Sequence, residues 1–173
     1  MNYEYVFRDR WVLAGSPAKV YAALSDFNLY PLWGYPGYLY GRRDGELAVG
    51  CKGKLTVQGG LPYKINFDVE LSKLLPDREI EVIVGGDVTG IKKWLINPMP
   101  GGGTELISDW RCNVNWAFLK VMTPLIKPVF RWNHAQCLNT AIAGLAQYLA
   151  QSVQEAPKSK HRRRSTLKRS AGA

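Results

Sequence analysis

Apolar and polar residues alternate through most of residues 38–116, and glycine-rich turns interrupt the alternation at short intervals. The stretch "KINFDVEL" shows the pattern most clearly, since every second residue from Ile65 to Leu71 is apolar and the others are polar. Side chains along a strand point to opposite faces in turn, so each segment has one face to bury and one for water. The pattern predicts an antiparallel sheet whose neighbouring strands are joined by tight turns.

We predict one strand before this region, at residues 3–13, and six strands within it. The six span residues 38–44, 50–58, 63–73, 78–85, 90–97 and 104–116. After the first strand, "GSPAKVYAALSD" predicts a short helix with Ser16 as its N-cap and Pro17 at its first position. Asp26 can cap a second short helix, "FNLYPLW".

A long helix is predicted at roughly 118–152, and its regular portion is expected to begin near Pro128 because proline interrupts helices. The fold class is therefore α+β: a curved antiparallel sheet wrapped around a long C-terminal helix, with two short helices after the first strand. Residues 1–152 are long enough to form this as one domain.

The net charge of +9 is concentrated at the C-terminus, where residues 155–173 hold seven basic residues and one Glu. Without apolar periodicity, residues 153–173 are expected to form a disordered basic tail. Such a tail can make weak, salt-sensitive contacts with an anionic membrane or a nucleic acid, or serve only as a solvated end. It has no aromatic residues for base stacking, so specific nucleic-acid recognition is not expected.

The three cysteines, Cys51, Cys112 and Cys137, are widely spaced and form no Cys-x-x-Cys pattern. They predict neither a disulfide framework nor a zinc site, and no metal or other cofactor is expected. The N-terminus has no apolar stretch of signal-peptide length, and the amides within residues 132–154 are too polar for a bilayer centre. We therefore expect a soluble cytoplasmic protein.

Several separated segments resemble a known family. They are "SPAKVYAALSDFNLYPLW", "GLPYKI", "GGDVTGIKKW", "ELISDWRCNV" and "PVFRWNHAQCLNTAIAGLAQYL". Together they look like the helix-grip fold of the SRPBCC superfamily, also called START-like or Bet v 1-like, and are most similar to bacterial polyketide cyclase/dehydrase proteins. The resemblance covers about residues 3–152 and implies a cavity between the sheet and the long helix. The superfamily includes cyclases, hydrolases, lipid carriers and cofactor-binding domains, so the resemblance does not fix an activity.

Helical spacing puts Asn133 and His134 on the apolar face of the long helix, which the resemblance turns toward the cavity. His134 is either a structural histidine, bonded to a backbone carbonyl or a strand side chain, or a ligand-binding or catalytic acid–base group. Asn133 either caps the kink at Pro128 or hydrogen-bonds a substrate carbonyl.

Two aspartates are further candidates. Alternation puts Asp9 among the apolar residues of the first strand, where a carboxylate needs a partner, and Asp9 with His134 would make an acid–base pair. Asp9 lies on a solvent-exposed face in the other interpretation. Asp87, in "GGDVTG", is either a turn residue that bonds backbone amides or a ligand contact at the cavity mouth.

Four large aromatic residues are candidate cavity walls: Trp33, Tyr63, Trp94 and Trp110. The leading hypothesis is a protein that binds a hydrophobic or amphipathic small molecule, such as a lipid, an isoprenoid or a polyketide-like compound. The alternative is a cofactor-free polyketide cyclase or dehydrase that uses His134, with Asp9, as its acid–base group.

Overall fold

The computed structural model of the chain describes residues 5–115 and 123–154. The start of the predicted first strand, the predicted first turn of the long helix and nearly all of the predicted basic tail lie outside the described residues. The prediction that residues 153–173 contact a membrane or a nucleic acid therefore stays a prediction.

The seven strands form one antiparallel sheet, as the alternation predicts. They are β1 (Tyr5–Leu13), β2 (Tyr38–Asp44), β3 (Lys52–Val57), β4 (Ile65–Leu75), β5 (Glu79–Gly86), β6 (Val88–Pro98) and β7 (Thr104–Val114). Their order across the sheet is β1-β7-β6-β5-β4-β3-β2, so each hairpin joins neighbours and only β1 pairs with a strand distant in sequence. The predicted strand bounds are confirmed to within a few residues.

The strand register aligns inward-facing side chains in rows across the sheet. Asp9 of β1 lies opposite Ser108 of β7, which lies opposite Trp94 of β6. In the next row, Trp110 of β7 lies opposite Lys92 of β6. Because the period of a strand is two, this register fixes which side chains meet on the inner face of the sheet.

Two short helices and a 3-10 turn connect β1 to β2: α1 (Pro17–Ser25), the 3-10 turn (Phe27–Leu29) and α2 (Tyr30–Gly34). Asp26 caps this connection as predicted, because its carboxylate accepts a hydrogen bond from the amide of Asn28. Ser16 stands at the N-cap of α1, but its side chain makes no capping bond to any residue that the structure describes. The predicted position of Ser16 at the N-cap, with Pro17 as the first helical residue, is confirmed.

The long helix, α3 (Thr123–Gln154), crosses the concave face of the sheet. Pro128 lies inside α3 and does not mark the beginning of its regular portion, which corrects the prediction. A proline removes one backbone hydrogen-bond donor from a helix. The helix nevertheless continues past Pro128, because the packing of its other turns stabilises it. Within the described ranges, no helix combines the length and the apolarity that crossing a membrane would take.

The buried face of α3 carries Phe130, Asn133, Leu138, Ala141, Ile142, Leu145 and Leu149. This helix packs closely on the backbone of α2 at Gly144. A methyl group at Gly144 would overlap the carbonyl oxygen of Trp33. Only glycine allows the two helices to pack at this distance, and their packing sets the position of α3 above the sheet.

We expect Gly144→Ala to lower the free energy of unfolding by about 1–3 kcal/mol, because the added methyl overlaps backbone that cannot move alone. Gly85→Ala is the matched control, since a methyl group there meets its nearest neighbour at an ordinary contact distance of 3.7 Å. Urea denaturation of both variants measures the difference. Equal stability of the two would show that the approach at Gly144 does not fix the helix.

Candidate functional site

A cavity of about 70 Å³ lies between the inner face of the sheet and α3. Its wall is mainly apolar and aromatic, and includes Tyr38, Val57, Ile65, Phe67, Trp110 and Phe130. A second cavity of about 30 Å³ adjoins it, because Tyr38, Phe67, Lys92 and Trp110 border both. An apolar enclosure of this kind, with a few polar groups facing inward, is the usual form of a small-molecule site.

Asp9 and His134 meet at the border of this cavity. His134 Nε2 lies 3.1 Å from a carboxylate oxygen of Asp9, and the imidazole stacks on the ring of Phe7 with centroids 4.0 Å apart. The arginines beside Asp9 face the other way, and Arg10 pairs with Glu105 on the outer surface. The structure therefore brings Asp9 and His134 into contact, as both the structural and the acid–base interpretation of His134 allow, and His134 also lines the cavity.

The environment of this pair favours a neutral imidazole and a charged carboxylate. Burial lowers the pKa of His134 below its ordinary value; the Asp9 carboxylate opposes the drop and the charge of Lys92 adds to it. The hydrogen bond from His134 lowers the pKa of Asp9, although partial burial opposes that change. A neutral ring donates to Asp9 through Nε2–H, which leaves a lone pair on Nδ1 and lets the ring act as a base.

Lys92 is the polar residue of the cavity that our sequence reasoning missed. Its side chain is only 6% exposed, and Nζ donates a hydrogen bond to Ser108 Oγ at 2.6 Å. The ammonium also lies over two indole rings, 4.2 Å from the centroid of Trp94 and 5.2 Å from that of Trp110. The sequence does indicate the inward position of Lys92, because the period of two along a strand puts Lys92 on the same face as Trp94.

Burial lowers the pKa of Lys92 to about 8, although the negative charge of Asp9 opposes the shift. An unfolded lysine keeps its usual pKa near 10.5. Between these two values the unfolded chain binds more protons than the folded protein, so the stability contributed by Lys92 rises with pH across this window. Below pH 8 the charged amine lowers the stability of the fold.

We expect the free energy of unfolding of the wild type to rise by about 2–3 kcal/mol relative to Lys92→Met between about pH 8 and pH 10. Urea denaturation at several pH values measures this difference. Lys93→Met is the matched control, since its ammonium is on the outer face of the same strand and pairs with Glu81. A flat difference between wild type and Lys92→Met would contradict the shifted pKa.

Asn133 has a structural contact on the same helix face. It is 4% exposed, and its side-chain oxygen accepts a hydrogen bond from the backbone amide of Leu61 at 3.1 Å. Gly59, in the same loop between β3 and β4, approaches Asn133 so closely that a methyl group there would overlap the amide. Asn133 thus holds this loop against α3, which was not one of its predicted roles, and it also borders the cavity.

The four predicted aromatic residues divide between cavity wall and core. Trp110 borders both cavities and Trp94 borders the smaller one. Trp33 lies in the core under α1, where its indole nitrogen donates to the carbonyl of Ala23, and Tyr63 packs against the core as a half-buried residue. As far as the structure describes the chain, neither Trp33 nor Tyr63 forms part of the wall of these two cavities.

Asp87 lies in the turn between β5 and β6, and its carboxylate accepts a hydrogen bond from the backbone amide of Asn66 at 2.8 Å. This contact agrees with the interpretation as a turn residue, although the amide belongs to β4 and not to the turn itself. Its neighbour Val88 lines the larger cavity. Among the side chains described, no three of His, Cys, Asp and Glu are grouped as a metal site would require.

Comparison with known proteins finds similarity in three-dimensional structure. No family model matches the chain, and no curated protein matches it. A protein from Thermus thermophilus, TTHA0849, has 11% identity and a TM-score of 0.73 over 86% of this chain and 99% of its own. Ms6760 from Mycobacterium smegmatis has 12% identity and a TM-score of 0.66 over 88% of this chain and 98% of its own.

A norcoclaurine synthase point mutant from Thalictrum, solved with a transition-state analogue, has 15% identity and a TM-score of 0.59 over 86% of this chain and 96% of its own. Norcoclaurine synthase has a Bet v 1-like fold, and the present chain shares its architecture of a curved seven-stranded sheet around a long C-terminal helix. The protein therefore has the helix-grip fold, as predicted. At this identity the similarity defines the fold and not the activity.

Proposed function

We propose that this protein binds a small amphipathic molecule, such as a lipid, an isoprenoid or a polyketide-like compound, in the cavity between the sheet and α3. The observation that carries the proposal is an apolar cavity that contains inward-facing polar groups, among them His134 and Lys92. Apolar surface buried in such a site contributes about 25 cal/mol per Å² before ordering costs. The polar groups orient the ligand.

The resemblance of the sequence to polyketide cyclase/dehydrase proteins of the SRPBCC superfamily supports this proposal, because their shared fold places a ligand cavity in the same position. On this basis we assign the chain to that superfamily as part of the proposal. The helix-grip fold of the structural neighbours is compatible with the assignment.

Filling the cavity provides the test of binding. Val88 is buried in the cavity wall, so Val88→Phe places a ring in the space a ligand would take. We expect this variant to bind 2-naphthalenemethanol, a neutral aromatic probe, at least tenfold more weakly than the wild type in isothermal titration calorimetry. Val12→Phe is the control, because Val12 lies on the outer surface and is 65% exposed.

Thermal melts of both variants establish that they are folded. Equal affinity of Val88→Phe and the wild type, or no binding of the probe to the wild type, would contradict a ligand site in this cavity. Native mass spectrometry of the purified protein then identifies any molecule that co-purifies.

A second candidate function is a cofactor-free cyclase or dehydrase, and the Asp9–His134 contact favours it. A neutral His134, held by Asp9, can take a proton from a ligand carbon that lies between two carbonyl groups. The resulting enolate carbon adds to a third, more distant carbonyl of the same chain, whose π electrons move onto its oxygen, and the new alkoxide takes the proton back from the His134 imidazolium. The cavity contributes by holding the chain in a folded conformation.

For the enzymatic function, we expect His134→Ala to lose turnover of a linear 3,5,7-trioxo ester, in which C2 can add to the C7 carbonyl and close a six-membered ring, by at least a hundredfold while keeping its affinity for the ester. The rate of cyclisation is followed by absorbance against the buffer reaction, and binding by calorimetry. Asp9→Asn is expected to retain part of the activity, because the ring stays in place without its charged partner. A wild-type rate equal to that of buffer would leave binding as the function.

A further inference from the structure

The ammonium group of Lys92 is enclosed in the core without a close carboxylate. Among the residues described, it forms no ion pair with an Asp or Glu side chain. The nearest candidates are engaged elsewhere: Asp9 accepts the hydrogen bond of His134, and Asp109 pairs with Arg111. A buried lysine is normally paired, because an unpaired charge in a protein interior is destabilising.

The protein contacts of the ammonium are two indole faces and one hydroxyl. Trp94 and Trp110 stabilise the cation from their ring faces, and Ser108 accepts one of its three N–H donors. No further hydrogen-bond acceptor for the amine is present in the described part of the chain. Because Lys92 borders both cavities, its two remaining N–H donors are available to a ligand where the cavities meet.

We propose that Lys92 binds the acidic end of the ligand, and that the ligand is a small carboxylic acid with a flat apolar body. The inference rests on the proposed binding function. A carboxylate at the junction of the cavities would give Lys92 the direct ion pair that the protein does not supply. The rings of Phe67, Trp110 and Phe130 line the remaining space and suit a flat body.

Asp9 and His134 are two of the titratable groups near this position, together with Cys112, Cys137 and Tyr38. Asp9 lies opposite Ser108, the residue that accepts the hydrogen bond of Lys92. Its negative charge reduces the attraction of the site for an anion. Its hydrogen bond to His134 holds the carboxylate at the helix and away from direct contact with Lys92. The acidic head therefore meets the ammonium at short range and Asp9 only at longer range, where the interaction is weaker.

The test compares two probes of the same body, 2-naphthoate and 2-naphthalenemethanol, by calorimetry at about pH 7 on the full chain. We expect the wild type to bind the acid at least tenfold more tightly than the alcohol, because a hydrogen bond to a charged group is stronger than one between neutral groups. Lys92→Met should abolish this preference, because the affinity for the acid falls to that for the alcohol. Lys93→Met should behave as the wild type.

Four outcomes decide the proposal. A wild-type preference for the acid that Lys92→Met removes supports it. Equal binding of the two probes by the wild type overturns it and leaves the binding function standing. A preference that survives in Lys92→Met but is lost in His134→Gln also overturns it, since the acid then binds at the helix. No binding of either probe to the wild type overturns the proposal together with the binding function.

Discussion

The close packing of α3 on α2 at Gly144 is the contact on which the arrangement of this fold depends. A curved sheet has one apolar face, and a single helix must cover it. The C-terminal half of α3 packs on the backbone of Trp33 at Gly144, and aromatic rings lie between its N-terminal half and the sheet. The space left beside the N-terminal half is the cavity, so the helix packing that stabilises the fold also determines where the cavity lies.

Polar groups on a buried face lower stability unless each has a partner. In this protein the partners come from different elements: His134 of the helix meets Asp9 of β1, and Lys92 of β6 meets Ser108 of β7. Of the two buried groups, Lys92 has the weaker compensation for its lost hydration, since burial shifts its pKa to about 8. The buried lysine therefore lowers the stability of the fold, and residues that lower stability in this way are common at functional sites.

The alternation of residues was sufficient to predict the sheet, because a strand with one wet face leaves a period of two in its sequence. The placement of Asp9 on the inner face followed from the same rule. Its contact with His134 could not be predicted, since it joins residues 125 apart and depends on how far α3 is offset along the sheet. The same alternation puts Lys92 on the inner face, but it does not show that the ammonium is buried there, because a long lysine side chain usually carries its charge to water.

The hydrogen bond between Asn133 and Leu61 fixes the loop that borders the cavity, so the size of the cavity depends on this bond. The loop between β3 and β4 borders the cavity at Gly59, and the side-chain amide of Asn133 holds it to α3. Exchanging such a hydrogen bond for one to water changes the free energy by about 1 kcal/mol. A ligand larger than the closed cavity would have to displace this loop, and its own contacts would have to replace the hydrogen bond between Asn133 and Leu61.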